Sequence, residues 1–394
     1  MKRDTFLPFA RPEIDQATIE DVCESLRSGW ITTGPKSIRF ENAFRERVGI
    51  PHALAVNSAT AGLHLAHLSL GIGPGDEVIT TPMTFVATLN TIVFAGARPV
   101  LVDIDPGTFN MDPSLLESAV TPRTKAIVPV HFAGLPVDMD AVNTVADRHG
   151  LAVVEDCAHA LGASYKGRLI GSDLRHVSVF SFHPTKNITT GEGGMVCTGV
   201  EEAAERIAIL RQHGMSKGAW SRYAVTGTPH YDVALPGLKY NMLDIQAAIG
   251  LGQLPHLDAF NARRTSIVGR YREAFSDTEG LLLPSPPPYE HTHAWHIFTP
   301  LLDIDRLDLT RDDFMALLKT ENIGTAYHYQ AAHLFDFYRN TFGFKRGDFP
   351  NAEKVSDRIV SLPLFPSMAD SDVEDVVEAV KRILANHLKG GIRS

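Results

Sequence analysis

A lysine in a glycine-rich loop is the first residue of this sequence that can do covalent chemistry. Residues 180–187 (FSFHPTKN) begin as an aromatic strand, Lys186 follows Ser181 by five positions, and the glycines of 191–194 (GEGG) come next. A lysine that bonds to a carbonyl compound must lose its proton near neutral pH, so it needs partial burial and a neighbouring cationic centre. Ser181 could donate to a phosphate, and the glycines allow close approach of the backbone. A solvated loop lysine is the plainer explanation of the same spacing.

An acidic residue ends a second apolar run. In residues 153–163 (VVEDCAHALGA), a predicted strand places Asp156 at its carboxyl end. That end is the edge of a parallel sheet at which ligands bind. A carboxylate there can pair with a buried cation such as a protonated pyridine nitrogen. The same aspartate can instead cap a following helix, and the residue alone leaves both interpretations open.

Two further segments offer a phosphate site and a stacking surface. Residues 56–63 (VNSATAGL) are small and hydroxyl-rich and begin a predicted helix, so the free N–H groups near Ala59 and Thr60 can bind a phosphate. Phe85 follows the next strand and can stack on a flat heteroaromatic ring. An ordinary helix cap and a core phenylalanine are the structural alternatives.

Short apolar strands alternate with helices, and this pattern has to position those residues. The predicted strands are 77–80, 99–103, 126–130, 151–155, 177–182 and 194–198. The predicted helices of this part are 14–28, 60–70, 86–94, 113–119, 140–149 and 201–213. Such alternation predicts an α/β fold with a mostly parallel sheet that is covered on both faces by right-handed connections.

We predict two domains, a large α/β domain over residues 1–255 and a smaller α+β domain over 256–394. A long helical stretch starts near Met242, the segment 281–289 (LLLPSPPPY) contains four prolines, and helices are predicted near 311–321 and 370–387. Residues 214–236 are rich in Gly, Pro, Ser and Tyr, which is typical of a functional or interface loop.

Composition excludes several classes of protein. The 394 residues carry a net charge of −9, which disfavours non-specific nucleic-acid binding. Three scattered cysteines form neither a disulfide framework nor a zinc motif. The sequence shows no signal peptide and no apolar run long enough to span a membrane, so we expect a cytoplasmic protein.

The order of six motifs indicates a family. SATAG (58–62), TFVATLN (84–90), EDCAHALGA (155–163), SFHPTKN (181–187), GEGG (191–194) and YNMLDIQAAIGLGQL (240–254) resemble the DegT/DnrJ/EryC1/StrS sugar aminotransferases over nearly the whole chain. The resemblance implies the fold type I of pyridoxal-phosphate enzymes, with the cofactor in the large domain. It implies that L-glutamate donates the amino group and leaves as 2-oxoglutarate, while the cofactor alternates with pyridoxamine 5'-phosphate.

The resemblance also implies a role for each candidate residue. Lys186 would carry the cofactor and move protons, and Asp156 would pair with the pyridine nitrogen. Phe85 would cover one face of the ring, and His159 would lie near the other face or the ring hydroxyl. The phosphate would be held by three residues of the same subunit and one of the partner subunit in a homodimer with shared active sites, namely Ala59, Thr60, Ser181 and the partner's Asn241.

Two positions depart from the commonest family pattern, because His159 replaces a frequent Gln and Asn241 a frequent Arg. Together with residues 6–12, 28–36, 293–298 and 324–328, they resemble the branch that makes 4-amino-4-deoxy-arabinose for lipid A modification in lipopolysaccharide. The implied substrate is a UDP-linked 4-keto-pentose. UDP-, dTDP- or GDP-linked 4-keto-6-deoxy sugars are the alternatives.

Two other classes of function remain to be compared with this one. A non-catalytic relative could bind the cofactor or a nucleotide sugar without turnover, but the presence of Lys186 argues against the lysine-less kind. A metal enzyme is suggested by His291, His293 and His296. These histidines have no paired carboxylate or cysteine at ligand spacing, so we expect no metal and place His293 and His296 at the active-site mouth or a dimer interface.

Overall fold

A computed structural model of the chain describes residues 3–215 and 230–389. Most of the loop predicted at 214–236, namely residues 216–229, therefore lies outside the described residues. None of the helices in the described ranges is both long and apolar enough to cross a membrane.

A seven-stranded mixed sheet forms the centre of the molecule. Its strands are β1 (His52–Val56), β2 (Glu77–Thr80), β3 (Arg98–Leu101), β4 (Thr124–Ile127), β5 (Ala152–Asp156), β8 (Val177–Ser181) and β9 (Gly194–Thr198). The spatial order is β1-β9-β8-β5-β4-β2-β3, and β9 runs antiparallel to both of its neighbours while the other pairs are parallel. This is the mostly parallel α/β sheet of fold type I that the sequence predicted.

Within the described ranges, five short strands lie outside this sheet. β6 (Ser164–Tyr165), β7 (Arg168–Leu169) and β11 (His291–Thr292) form one small sheet, and β10 (Leu281–Leu282) pairs with β12 (Leu301–Leu302).

Helices cover the sheet and build the C-terminal part. Up to the last strand of the large sheet they are α1 (Gln16–Ser28), α2 (Pro35–Val48), α3 (Ala59–Ser69), α4 (Ala87–Phe94), α5 (Leu116–Ala119) and α6 (Met139–His149). After it they are α7 (Glu201–Leu210), α8 (Asp244–Gln253), α9 (Leu257–Phe275), α10 (Arg311–Thr320), α11 (Asp336–Phe342), α12 (Pro350–Arg358) and α13 (Asp370–Asn386).

Some predicted boundaries were wrong. The strand expected at 126–130 is Thr124–Ile127, and Val130 pairs only through an isolated bridge to Asp156. The helix expected at 201–213 ends at Leu210. Helix α2 was not predicted, although Pro35 occupies its first turn, where a proline costs no hydrogen bond.

Apolar side chains form three main cores. One lies on each face of the large sheet, and the third is built mostly from residues 267–384 together with Leu7 near the N-terminus. Leu7 pairs with Ile323, so the first residues pack against the C-terminal part of the chain. The division at 255/256 stays a prediction.

Candidate active site

One cavity of about 590 Å³ collects most of the residues that the sequence singled out. Ala59, Thr60, Phe85, Asp156, His159, Ser181 and Lys186 all line it. Four of the segments that supply them directly follow the carboxyl ends of β1, β2, β5 and β8, which is why a parallel sheet brings them together. The volume falls in the range of roughly 300–1,000 Å³ that is usual for ligand pockets.

Asp156 ends β5 with its carboxylate buried and hydrogen-bonded. Thr88 Oγ1 donates to Asp156 Oδ2 at 2.7 Å, and the backbone N–H of Ala158 donates to Oδ1 at 3.1 Å. Burial raises the pKa of Asp156, although these hydrogen bonds and the nearby amine of Lys186 oppose the shift. A cation in contact with this carboxylate would relieve the cost of burying its charge, so the site suits a protonated ring nitrogen.

Lys186 lies in the loop after β8, and its amine reaches into the same cavity. Burial lowers the pKa of this amine to about 8, while the charge of Asp156 acts in the opposite direction. Its Nζ lies 3.5 Å from His296 Nε2. The lowered pKa increases the neutral fraction of the amine near physiological pH, as a nucleophilic lysine requires.

An aromatic cluster closes the side of the cavity near Asp156. The rings of His159 and His296 lie 4.3 Å apart, and Tyr329 stacks on His159 at 6.0 Å. His159 Nδ1 accepts from the backbone N–H of Ala133 at 3.2 Å, and its Nε2 lies 2.9 Å from the hydroxyl of Tyr329. Burial, together with the charge of Lys186, lowers the pKa of His159 and of His296 well below the usual value.

The opposite end of the cavity is formed by the start of α3. Ser58 caps this helix by accepting from the backbone N–H of Ala61, which leaves the N–H groups of Ala59 and Thr60 available to an anion. Gly194 of β9 presses against this turn, since a Cβ there would lie 2.8 Å from Ala59 N. Ser181 Oγ accepts one long hydrogen bond of 3.5 Å from His183 N and can also donate.

Phe85 lies at the cavity wall, whereas Asn241 lies outside the cavity. Phe85 is 58% exposed at the cavity wall, 6.0 Å from the ring of Tyr329, so the alternative of a core phenylalanine is wrong. Asn241 does not line the cavity. It is 6% exposed, its Nδ2 donates to Thr33 Oγ1 at 2.5 Å, and its Oδ1 has no partner within the described residues.

Several residues that line the cavity or contact its lining residues were not identified from the sequence. Thr84, which lines the cavity, and Thr88, which donates to Asp156, lie within the TFVATLN motif, where only Phe85 was predicted to have a role. His328 belongs to the stretch 324–328, for which the sequence indicated only a resemblance to the branch, and Tyr329 follows that stretch directly. His296 was predicted at the active-site mouth or a dimer interface, but it lies beside Lys186.

A buried polar network surrounds Glu155, which lies on β5. Glu155 accepts from Nε2 of His131, Nδ1 of His176 and Oγ of Ser178 at 2.9–3.0 Å. His131, Glu155 and Cys157 also place possible metal-ligand atoms within 4.8 Å of one another. The three hydrogen bonds already compensate the burial of Glu155, so the network has a structural explanation.

The donor set of the cavity fits pyridoxal phosphate. A buried carboxylate stands at one end, a helix N-terminus with free N–H groups at the other, and an amine of lowered pKa between them, while Phe85 offers an exposed aromatic face. These are the partners that a pyridine nitrogen, a phosphate, an aldehyde and a flat ring require.

Comparisons with known proteins agree with this fit. SpsC of Bacillus subtilis strain 168, a spore coat polysaccharide biosynthesis protein, is 51% identical over 384 residues, which cover 97% of this chain and 98% of SpsC. The structure of Spr1654 from Streptococcus pneumoniae in its PMP form is 34% identical, with a TM-score of 0.89 over 96% of this chain and 98% of that one. Helicobacter pylori PseC, an aminotransferase involved in pseudoaminic acid biosynthesis, is 30% identical, with a TM-score of 0.87 over 97% and 99% of the two chains.

The cofactor and the class of enzyme follow from these likenesses. Spr1654 has also been solved in a PLP form, to which this chain is 33% identical with a TM-score of 0.87. The cofactor of this protein is pyridoxal phosphate, and the protein is a sugar aminotransferase. A sequence model of the DegT/DnrJ/EryC1/StrS aminotransferase family matches residues 12–381, and the chain belongs to that family.

Proposed function

We propose that the protein transfers an amino group from L-glutamate to the 4-keto carbon of a nucleotide-linked sugar, with Lys186 and Asp156 as its catalytic residues. The observation that carries the proposal is that both side chains line one cavity, with the amine of Lys186 held at a pKa of about 8. When bound there, the cofactor supplies an electron sink and carries the amino group between the two substrates.

Lys186 has two tasks in this proposal. Its neutral amine anchors the cofactor between turnovers. Once released, the amine accepts a proton from Cα of glutamate and later returns a proton to C4 of the sugar. A pKa near neutrality allows both directions of transfer, because general acid–base catalysis is most efficient when the pKa of the group lies near the working pH.

Asp156 acts through charge. Its carboxylate holds a proton on the ring nitrogen, and Thr88 and Ala158 keep it oriented for that contact. At the other end, Ala59, Thr60 and Ser181 bind the phosphate, while Phe85 and His159 flank the ring. Each of these assignments rests on the position of the residue in the cavity wall.

We also propose a homodimer with shared active sites. α8 packs against α1 and α2. The apolar residues that this region exposes by 40–55% are Ile19, Leu26, Ile31, Ile38 and Leu243. A second copy of the chain would cover them. Asn241 lies just before α8, and its Oδ1 has no partner among the residues that the structure describes, which leaves room for a further contact. To reach the partner's phosphate, its amide would have to leave Thr33.

For the substrate, we propose a UDP-linked 4-keto-pentose, which would place the enzyme in lipid A modification. The support is the sequence pattern, in particular His159 and Asn241 at positions where Gln and Arg are common. The relative SpsC is a spore coat polysaccharide biosynthesis protein, which favours a wider search among UDP-, dTDP- and GDP-linked 4-keto-6-deoxy sugars.

The test is incubation of the holoenzyme with ¹⁵N-glutamate and a panel of these keto sugars, with products read by mass spectrometry. We expect a labelled 4-amino sugar from the UDP-linked pentose, and none from Lys186→Ala. Product only from a dTDP- or GDP-linked sugar would overturn the substrate and leave the reaction standing. Full turnover by Lys186→Ala would overturn the assignment of the site.

A further inference from the structure

The hydrogen bond from Ala133 to His159 fixes which nitrogen of the imidazole carries a proton. A backbone N–H can only donate, so His159 Nδ1 accepts at 3.2 Å and holds no proton of its own. Buried in the cavity wall beside Lys186, the ring is neutral, because the pKa of His159 is lowered well below its usual value. A neutral imidazole with an accepting Nδ1 has its proton on Nε2.

That proton determines the direction of the next hydrogen bond. His159 Nε2 lies 2.9 Å from the hydroxyl oxygen of Tyr329, so the imidazole donates and the hydroxyl accepts. The proton of Tyr329 must then point to a different acceptor. Burial raises the pKa of Tyr329, which keeps this proton in place.

The part of the chain that the structure describes supplies no second partner for this hydroxyl, and Tyr329 lines the ligand cavity with Phe85, Asp156 and Lys186. We propose that Tyr329 is a hydrogen-bond donor to a negatively polarised oxygen of the ligand in this cavity, and that His159 is the positioning residue that directs its proton there. The inference rests on the proposed assignment of this cavity as the active site.

The loop that carries Ala133 makes several contacts that fix the direction of the Ala133 N–H. Ala133 adopts a left-handed backbone conformation with φ of 57°, and its carbonyl accepts from the backbone N–H of His296 at 3.0 Å. The preceding His131 is anchored at both ring nitrogens, to Glu155 and to the backbone N–H of Val137, and its own backbone N–H donates to the carbonyl of Asp156. The direction of the Ala133 N–H is therefore set by buried contacts.

Two ligands offer an oxygen of the required chemistry. One is the ring oxygen of the cofactor, and the other is a carboxylate or carbonyl oxygen of a substrate. A donor to the cofactor's ring oxygen withdraws charge from it, so that this oxygen holds the proton shared with the Lys186 nitrogen less tightly. Loss of the donor would then raise the pKa that is read from the absorption of the bound cofactor.

The experiment compares Tyr329→Phe with Tyr327→Phe in the holoenzyme. Tyr327 is 40% exposed and packs on Arg311, so its hydroxyl serves as the matched control. If the acceptor is the cofactor, Tyr329→Phe raises the pH midpoint of the absorption change by about one unit. If it is a substrate, the midpoint is unchanged and the dissociation constant of 2-oxoglutarate or the KM of the keto sugar rises about tenfold. Tyr329→Phe behaving like Tyr327→Phe in all three measurements would overturn the inference.

Variants of His159 separate positioning from packing. Glutamine offers an oxygen to Ala133 and an N–H to Tyr329, so His159→Gln should keep the wild-type midpoint and binding constants. His159→Leu should reproduce whichever shift Tyr329→Phe shows. Equal behaviour of the two histidine variants would contradict the positioning role, and this pair still gives the answer if Tyr329→Phe does not fold.

Lys186→Ala, measured in the same experiment, separates a failure of the proposed function from a failure of the inference on Tyr329. If it retains the absorption band of lysine-bound cofactor, the cavity is not the active site and the proposed function fails with it. If the band is lost while Tyr329→Phe equals its control, only the inference on Tyr329 fails.

Discussion

The amine of Lys186 lies 3.5 Å from Nε2 of His296, and Lys186 lines a cavity whose wall also contains His159 and His328. Burial lowers the pKa of all three histidines, that of His328 to about 3. Neutral imidazoles beside the lysine avoid the repulsion that imidazolium ions would add. The amine therefore owes its lowered pKa mainly to burial, partly opposed by the charge of Asp156.

The first prediction follows from that pKa. In the apoenzyme, reductive methylation of Lys186 by formaldehyde should rise with pH and level off above a midpoint of about 8, because only the neutral amine reacts. Lys166 is the internal control, since its hydrogen bond to Asp140 helps to raise its pKa to about 12. Its amine should therefore stay protonated and be methylated slowly for a lysine that is exposed to solvent. Quantitative mass spectrometry of both lysines checks this. A rate for Lys186 that still climbs near pH 10, as for a free lysine, would contradict it.

The second prediction concerns the support of Asp156. Thr88→Val removes the hydroxyl that donates to Oδ2 at 2.7 Å while preserving shape. Hydrogen bonds to charged groups contribute about 1.5–3 kcal/mol, so we expect the affinity for pyridoxal phosphate to fall at least about tenfold. Thr91→Val is the control on the same helix, because its buried hydroxyl donates to the carbonyl of Thr88 and, among the described residues, to no other group. Equilibrium dialysis measures both, and equal losses of affinity would rule out a specific role for Thr88.

Local sequence patterns predicted six of the seven strands of the large sheet and missed β1 (His52–Val56), just as they missed helix α2. The strands at 77–80 and 194–198 have the predicted bounds, because short apolar runs there are delimited by charged residues, hydroxyl residues or glycine. Helix α2 was missed because Gly34 and Pro35, which stand at its start, are residues typical of loops. The spacing of Phe40, Phe44 and Val48, all buried, was the signal that could have revealed it.

The residues of the site also fall into those that local sequence patterns can identify and those that they cannot. Lys186, Asp156 and Ser181 stand at strand ends or in the loop that follows, where motif and position agree, so the sequence could identify them. Tyr329, which lines the cavity, contacts His159 from 170 residues further along the chain, and His296 contacts Lys186 from 110 residues further along. No local spacing encodes a contact that depends on how the C-terminal part packs against the sheet.

The third prediction contrasts two glycines. A Cβ on Gly194 would lie 2.7–2.9 Å from three backbone atoms, two of them at the start of α3, so Gly194→Ala must displace the turn that is proposed to bind phosphate. We expect weaker binding of pyridoxal phosphate and a lower melting temperature. Gly269, exposed on α9 with open space around a Cβ, should instead gain about 0.5–1 kcal/mol of stability when replaced by alanine. Cofactor titration and thermal unfolding check both, and a Gly194→Ala protein with unchanged cofactor affinity would contradict the first part.

The fourth prediction concerns the buried Glu155. Burial alone would raise its pKa, but the hydrogen bonds from His131 and His176 outweigh that effect and hold the pKa well below the ordinary value of 4.5. A carboxylate whose pKa is lower in the folded than in the unfolded protein stabilises the fold at pH values above its unfolded pKa. That contribution is lost as the pH falls from the unfolded pKa through the folded one. The wild type should therefore lose stability below about pH 4.5.

Glu155→Gln should lower the free energy of unfolding at neutral pH by about 3 kcal/mol, because it leaves buried donors facing an amide. In the same variant, the free energy of unfolding should fall less steeply as the pH is lowered into the acid range, since the titrating group is gone. This acid part of the curve of unfolding free energy against pH is its acid limb. Glu117, an exposed partner of Arg148 and His149, supplies the control, and Glu117→Gln should change neither quantity measurably. Chemical denaturation from neutral to acid pH makes the measurement, and an unchanged acid limb in Glu155→Gln would show that other carboxylates govern acid unfolding.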